Sequence, residues 1–389
     1  MRKTTATTTG PSALQLQVEA PEALALMYSP QRVIVTATDT APSNTAVAVT
    51  VQNTASGQSY TEKRAFYQGV AEFDIARPMQ LLAPPISNVL TRVDFGGPDG
   101  LTEPYELRVE LVDTDGRNYT AANYEIRALY GALDGGETYG KKTSRRLWVN
   151  LPQTFTVNRS YNGVFAIEVA GQTYTVPGAD TAQKSAEADI VQAVLAGGGS
   201  ISQLAKAKKL AARVSNSYAL TDNNASIAAW RDFTLTPDTC PADAGVYLRW
   251  LNREGGVSYW MFQRSQSRTT AAVHNSFEVY LPGAPAAPVS GIYRNTRRAD
   301  YREARELILG AIGLSSEEHA ELCTLATSPA VEMLVLPDDY TGGRIDGPQK
   351  WVQVTVTAGT YERDIRRTTP SRQDLEFIIE LPERNTARL

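Results

Sequence analysis

From residue 13 to residue 140, apolar and polar positions alternate with the period of half-buried β-strands. Leu14, Leu16 and Val18 open the series, followed by Val33–Thr38 and by Ala46–Gln52, where Val47, Val49 and Val51 share a face. Val70–Ile75, Asn88–Phe95, Tyr105–Val112 and Tyr119–Tyr130 continue it, interrupted by a proline-broken segment from Met79 to Ser87. Turn signals separate the runs at Ser29-Pro30, Ala41-Pro42-Ser43-Asn44, Ser56-Gly57 and Asp113-Thr114-Asp115-Gly116. Seven or eight short strands at these spacings predict a β-sandwich of Ig-like size. The Asp-x-Asp-Gly turn resembles the start of a calcium loop but lacks the downstream acidic ligand, so it reads as a plain tight turn.

A glycine-rich linker, Gly131–Lys142, precedes a second β pattern: Arg145–Leu151, Gln153–Val157, and a hairpin of Val164–Val169 and Thr173–Val176 turning at Ala170-Gly171. The period then changes. Ala186, Ile190, Val191, Val194 and Leu195 fall at helical spacing, and so do Leu204, Ala207, Lys208, Ala211 and Val214. Gly197-Gly198-Gly199-Ser200 separates the two helices; the Lys-Ser/Thr of a nucleotide loop is absent. Strands resume at Ala229–Thr236 and reach the most distinctive stretch of the chain, Gly245–Arg268. Two aromatic-rich runs flank Asn252-Arg253-Glu254-Gly255-Gly256, a hairpin signal. Alternation puts Val246, Leu248 and Trp250 opposite Tyr247, Arg249 and Leu251, and sets Val257, Tyr259 and Met261 against Ser258, Trp260 and Phe262. With two of the five tryptophans in it, neither face of this ribbon can be fully exposed. One face should lie on a core, the other on a second layer or another subunit.

Ser276–Leu281 adds a strand and a proline-rich loop follows. Beyond Ile292 the pattern is α+β. Tyr301–Ile312 reads as an amphipathic helix with Leu307, Ile308, Ala311 and Ile312 inward. Ser315-Ser316-Glu317-Glu318 is a capping box for a second helix through Ala326, whose His319, among Glu317, Glu318 and Glu321, reads as exposed and titrating. Strands at Val331–Leu336, Trp351–Thr357 and Leu375–Leu381 close the chain, the last two joined by a mixed-charge arm carrying Arg366 and Arg367. The predicted class is mainly β and multidomain. It comprises a flexible N-terminal arm (1–12), an Ig-like sandwich (13–140), a central β-barrel or sandwich-like domain (141–291) with a helical insertion at about 180–230, and a C-terminal α+β domain (292–389).

Composition narrows the chemistry. Among 389 residues, 42% are hydrophobic and 21% charged, the balance of a folded soluble protein. A net charge of −4 argues against nucleic acid as a global partner, and the basic runs Lys206–Arg213 and Arg294–Arg305 read as wet faces of helices. Cys240 and Cys323 are far apart and have no ligand-spaced neighbours, so neither zinc nor a disulfide framework is indicated. The N-terminus lacks the apolar run of a secretion signal, and no window approaches a membrane span. With His274 and His319 as the only histidines, most hydrolase and metal templates fail; no catalytic, cofactor or metal residues are assigned. A distant carboxylate pair would leave no local signature, and Glu254 is the nearest candidate for one. Trp250, Tyr259 and Trp260 could instead stack on sugars.

Several fragments resemble a known group. Ala71-Glu72-Phe73-Asp74-Ile75 with Gln80-Leu81-Leu82, and Val246–Arg253 with Gly255-Gly256 and Tyr259-Trp260-Met261-Phe262, are similar to tail-associated virion proteins of Bacteroidetes phages and prophages. Ser328-Pro329 with its apolar strand, Trp351-Val352-Gln353-Val354 and the terminal Phe377–Leu381 strand extend the likeness. It rests on pattern fragments over most of the chain and supplies no catalytic residues. The resemblance implies a non-enzymatic structural role near the tail tip or baseplate, of distal-tail or hub kind, made in the bacterial cytoplasm and resident in the virion. The chain itself and other particle proteins would be the partners, without direct nucleic-acid binding or membrane insertion. The candidate assembly interface is Trp250, Asn252, Arg253, Glu254, Trp260, Arg366 and Arg367. The alternatives are a glycan-binding adhesin or receptor-binding module and, third, a glycoside hydrolase.

Overall fold

The computed structural model describes residues 1–7, 14–38, 45–84, 90, 102–113, 115–132, 142–159, 163–169, 171–176, 184–216, 232–253, 255–280, 294–345, 349–359 and 373–382. Strands dominate. The first body pairs two sheets. One has the order β1 (Arg2–Thr7), β2 (Gln15–Ala20), β4 (Arg32–Ala37), β7 (Val70–Asp74). The other runs β3 (Leu24–Leu26), β9 (Asn118–Leu129), β8 (Thr102–Val112), β5 (Ala46–Asn53), β6 (Ser59–Ala65). Alternation does its work in both. Leu16, Val18, Val33, Val35 and Phe73 of the first sheet share one apolar cluster with Val47, Val49, Val51, Leu107 and Val109 of the second.

Two details of this body differ from the sequence pattern. Residues 2–7, expected as a flexible arm, form edge strand β1, held by pairing to β2 and by Arg2, whose Nε donates to the Pro21 carbonyl at 2.8 Å. A Thr-rich stretch has no apolar signature to announce an edge strand, which needs only one partner. The proline-broken segment contains helix α1 (Ala76–Leu82). Pro78 sits in its first turn, where a backbone N–H has no intrahelical acceptor to lose. The strand expected at Asn88–Phe95 lies outside the described residues apart from Leu90, which is buried. At the Asp113 turn, the carboxylate accepts from the Asp115 and Arg117 amides at 2.9 and 2.8 Å and from the Tyr119 hydroxyl at 3.1 Å, a turn-closing role.

The second body has its own core. Its sheet runs β10 (Lys142–Trp148), β16 (Asp232–Asp238), β15 (Leu210–Asn216), β12 (Gly163–Val169), β13 (Gln172–Val176), beside a pair of β11 (Phe155–Arg159) and β14 (Lys184–Ala188). Helix α2 (Ile190–Ala196) is capped by Asp189, which accepts from the Gln192 amide at 2.9 Å. Helix α3 (Ile201–Lys206) has a complete capping box between Ser200 and Gln203. Ile190, Val191, Val194 and Leu204 pack on Leu147, Ile167 and Leu235. The glycine break between the helices is as the sequence indicated, with Gly198 at φ +83°. The helical spacing at Ala186, Ala211 and Val214 is overruled: these positions lie in β14 and β15. A short Ala-rich run is ambiguous by period, and pairing of β15 to both β12 and β16 decides it.

The third body is one seven-stranded sheet: β18 (Val257–Phe262), β17 (Val246–Leu251), β21 (Val331–Val335), β22 (Lys350–Gly359), β23 (Gln373–Glu380), β20 (Arg294–Leu314), β19 (Arg264–Tyr280). Its two outermost strands, β18 and β19, are consecutive in the chain and joined by Gln263 alone, so the sheet must curl strongly toward closure. Phe262 accordingly meets Phe377 at 5.8 Å between ring centroids. This sheet crosses the boundary expected at 291/292, since the aromatic hairpin and the C-terminal strands are hydrogen-bonded through β17 and β21. The helix expected at Tyr301–Ile312 is instead part of β20. Leu307, Leu309 and Ala311 also satisfy a period of two, and pairing to β19 and β23 selects it; Leu309 and Ala311 are buried while Ile312 is exposed.

Helix α4 (Ser316–Thr327) starts at the predicted capping box, with both Ser315–Glu318 hydrogen bonds formed. It buries His319, Leu322 and Leu325 against the curled sheet. His319 is therefore not the exposed group its acidic neighbours suggested. It is 3% exposed, with Nδ1 3.6 Å from the Cys323 sulfur one turn on. Two of those neighbours, Glu318 and Glu321, are themselves largely buried and paired with Arg146 and Arg145, so acidic neighbours did not mark a solvent-facing side. Both cysteines are free thiols. Among the described residues, no helix is long and apolar enough to cross a membrane.

Candidate functional site

The aromatic hairpin β17–β18 sits where the three bodies meet. Its register pairs Leu248 with Trp260, Arg249 with Tyr259 and Trp250 with Ser258. All six residues of β18 are buried, so both faces are covered by the chain itself. Trp250 is fully buried and donates from Nε1 to Thr324 Oγ1 of α4 at 2.8 Å. Trp260, 5% exposed, packs edge-on against Trp148 at 5.7 Å and lies under the Arg146 guanidinium at 4.7 Å. Neither ring offers the exposed platform that a sugar-binding ribbon needs, and neither is on a surface available to a partner. At the tip, Asn252 closes the turn by accepting from the Gly256 amide at 3.0 Å. Gly255 has φ +77°, and a Cβ there would lie 2.8 Å from the Leu129 Cβ. The Ala132 amide donates to the Arg253 carbonyl at 2.7 Å. The tip thus rests on the end of β9 in the same chain. Glu254, Arg366 and Arg367 lie outside the described residues.

Charged groups cluster around the hairpin. Arg249, 2% exposed, stands directly across from Glu332 in the β17–β21 ladder. Its Nε and Nη2 donate to Glu332 Oε2 at 2.7 and 2.5 Å, and its guanidinium stacks on Trp351 at 4.2 Å. On the other side Arg146 reaches Glu318 at 2.6 Å and Asp238 at 3.5 Å, while Arg145 pairs with Glu321, which also accepts from Ser258. These contacts fasten β10 of the second body to α4 and β18 of the third.

A cleft of about 740 Å³ opens between the second body and the sheet. Tyr259 and Trp351 supply aromatic walls, Arg249 and Arg344 guanidinium groups, and Asp189 and Gln192 of the α2 N-terminus a polar rim. Tyr259 shares a hydrogen bond with Thr154 at 2.9 Å and stacks on Tyr247 at 6.0 Å. Burial, then the neighbouring Tyr259, holds the Tyr247 phenol well above its ordinary pKa, and it donates to the Pro152 carbonyl at 3.1 Å. Arg344 bridges the walls, donating to the Val149 carbonyl at 2.9 Å and reaching Asp189 at 3.3 Å.

No protein-family model and no curated protein matches the chain. The chemistry of the site is therefore read from its own groups. Asp189 is the single carboxylate lining the cleft among the described residues, and it is occupied as the α2 cap and by Arg344. Glycoside hydrolysis by two flanking acids needs a second one there. Glu318 and Glu321 do lie together, but around a space of about 30 Å³ and each bound to an arginine. The cleft has the volume of a small-ligand site, with aromatic and planar polar walls.

Glu318 gives a pH test of the clamp. Burial alone would raise its pKa; hydrogen bonds from Arg146 and Ser315 and the charge of Arg146 outweigh that and hold it below its ordinary 4.5. A depressed folded value means the contribution is present above the unfolded pKa and is lost as pH falls through the folded one. Glu318→Gln should lower the urea midpoint at pH 7, and its deficit against wild type should shrink as both are taken below about pH 4. A pH-independent deficit would contradict the clamp. None of these pairs was visible as a motif. The clue to Arg249 and Glu332 is that each is a charge inside an apolar strand, in Leu248-Arg249-Trp250 and Val331-Glu332-Met333.

Proposed function

We propose that the chain is a non-enzymatic structural subunit of a phage tail or a related particle, forming a ring or connector near the tail tip or baseplate. Its N-terminal sandwich is then an Ig-like module carried by that subunit. The observation that carries the reading is the β19–β20 ribbon. Among the described residues, the β20–β23 ladder begins at Glu306, with one further bond from the Leu381 amide to the Arg305 carbonyl at 2.9 Å. Past that point β19 and β20 continue as a two-strand ribbon for eleven paired positions, from Thr269↔Arg305 to Tyr280↔Arg294. At ~3.4 Å per residue, it reaches roughly 40 Å beyond the sheet. An isolated two-stranded ribbon is marginal in water, and a long open edge invites pairing with another chain. Such an element suits a protein that completes its structure in an assembly. The buried hairpin and the internal arginine–carboxylate clamps suit a rigid block from which the ribbon extends, and the likeness of the hairpin to tail-associated proteins points the same way.

The experiment is sizing by light scattering, with electron microscopy, of the purified full-length chain over a range of concentrations. Rings or regular oligomers are expected. A 42.3 kDa monomer at every concentration would overturn the reading.

A further inference from the structure

We infer that the β19–β20 ribbon is a basic docking arm whose partner is a second copy of this chain. The inference rests on the subunit reading above and adds which element makes the contact and by what force. Among the described residues, neither strand of the ribbon pairs with any third strand outside the part facing β23. Among those residues, no partner strand lies on its outer edges over 269–280 and 294–304, while the Arg305 carbonyl accepts from the Leu381 amide at 2.9 Å. No proline interrupts either run, and protected edges in single-chain proteins are usually short, kinked or covered.

Charge selects the partner. Arg294, Arg297, Arg298, Arg302 and Arg305 stand against Glu278, Asp300 and Glu303, so the arm carries +2. The whole chain carries −4, which leaves −6 on everything outside the arm. A basic arm projecting from an acidic body is complementary to the body of another copy, and repelled by the arm of that copy. Arm-on-body contact is thereby favoured over arm-on-arm contact. That is a heterologous, head-to-tail arrangement, the kind that closes into rings. A guanidinium-rich strand could also attract nucleic-acid phosphates, but the body behind it, at −6, would oppose a polyanion and attract the arm of a copy.

The pairing itself supplies a clean deletion. Arg268 and Glu306 are directly opposite in the ladder, so replacing Thr269–Arg305 by Asn-Gly closes the ribbon with a two-residue turn and leaves the sheet intact. The full chain, this shortened chain, and a charge-reversed arm (Arg297→Glu, Arg298→Glu, Arg302→Glu) would be sized side by side at low salt and at about 0.5 M salt. The full chain should assemble at low salt and weaken by about tenfold or more as salt screens the contact. The shortened and charge-reversed chains should be monomers with the thermal midpoint of the isolated full-length subunit. Unchanged assembly by the shortened chain would overturn the arm while leaving the subunit reading standing. A full chain that is monomeric at all concentrations would overturn both. Retention of a fluorescent DNA duplex by the full chain but not by the shortened one, with assembly unaffected, would assign the arm to nucleic acid instead and overturn the inference.

Discussion

Trp250→Ala is expected to lower folding stability by about 3–5 kcal/mol, the range for deleting a large aromatic side chain from a packed core. Against a typical total of about 5–15 kcal/mol, this places the chain near its unfolding threshold. The reason is position. Trp250 has no exposed surface, sits in β17 between β18 and β21, and faces α4, where Leu322 and Leu325 are equally buried. Its Nε1–H donates to Thr324 Oγ1, whose own proton goes to the Glu321 carbonyl at 2.6 Å. Truncation empties the space between sheet and helix and removes a donor from a satisfied chain of hydrogen bonds. Trp250→Phe keeps most of the volume and loses the hydrogen bond, so it should cost less, with about 1 kcal/mol for the lost bond alone. Urea unfolding followed by far-UV circular dichroism measures both. An alanine variant with the wild-type midpoint would show that the hairpin is not the spine of the third body.

The hairpin was legible because its signals are local. Two alternating aromatic runs, five intervening residues with Gly255-Gly256, and too many large rings for an exposed ribbon all point to a buried pair of strands. The Ser315–Glu318 capping box was equally local, and α4 begins where it indicates. What misled was sequence whose structure is decided elsewhere. In Arg294–Leu314, charged residues with good helix propensity alternate with apolar ones, and both periods fit. The partners that choose strand are Arg264–Tyr280 and Gln373–Glu380, one before and one well after it in the chain. His319 failed for a related reason: neighbouring charges do not say which side of a helix meets the core. The cleft could not be read at all. Its described lining comes from residues 152–154, 189, 192, 195–196, 249, 259, 344–345, 349 and 351, brought together only by contact between the second body and the curled sheet.

Glu332→Ala should destabilise the chain about as much as Trp250→Ala, by about 3–5 kcal/mol, because it removes the carboxylate that accepts two N–H groups from a buried guanidinium. Arg249 keeps its proton under any folding condition, and its guanidinium is 2% exposed, so the lost ion pair is one to a buried charge. The stacking of Arg249 on Trp351 at 4.2 Å offsets part of that loss, by about 0.5–2 kcal/mol, but a ring face does not replace a carboxylate accepting two N–H groups. Arg249→Met alone should leave Glu332 in a similar position; at 8% exposure it is nearly as buried. The double variant Arg249→Met/Glu332→Leu removes both desolvation costs and fills the space with apolar side chains. It should recover most of the loss, and could match or exceed wild type by about 1–4 kcal/mol, as buried pairs replaced by packed hydrophobes do. The four-corner cycle of urea midpoints reports the coupling directly. Additive single effects, with the double variant as unstable as their sum, would mean that the two groups are not a buried pair and that the β17–β21 register is different. A recovered double variant that still forms the same oligomers would further separate the pair from assembly, leaving its role as the internal lock between the aromatic hairpin and the C-terminal strands.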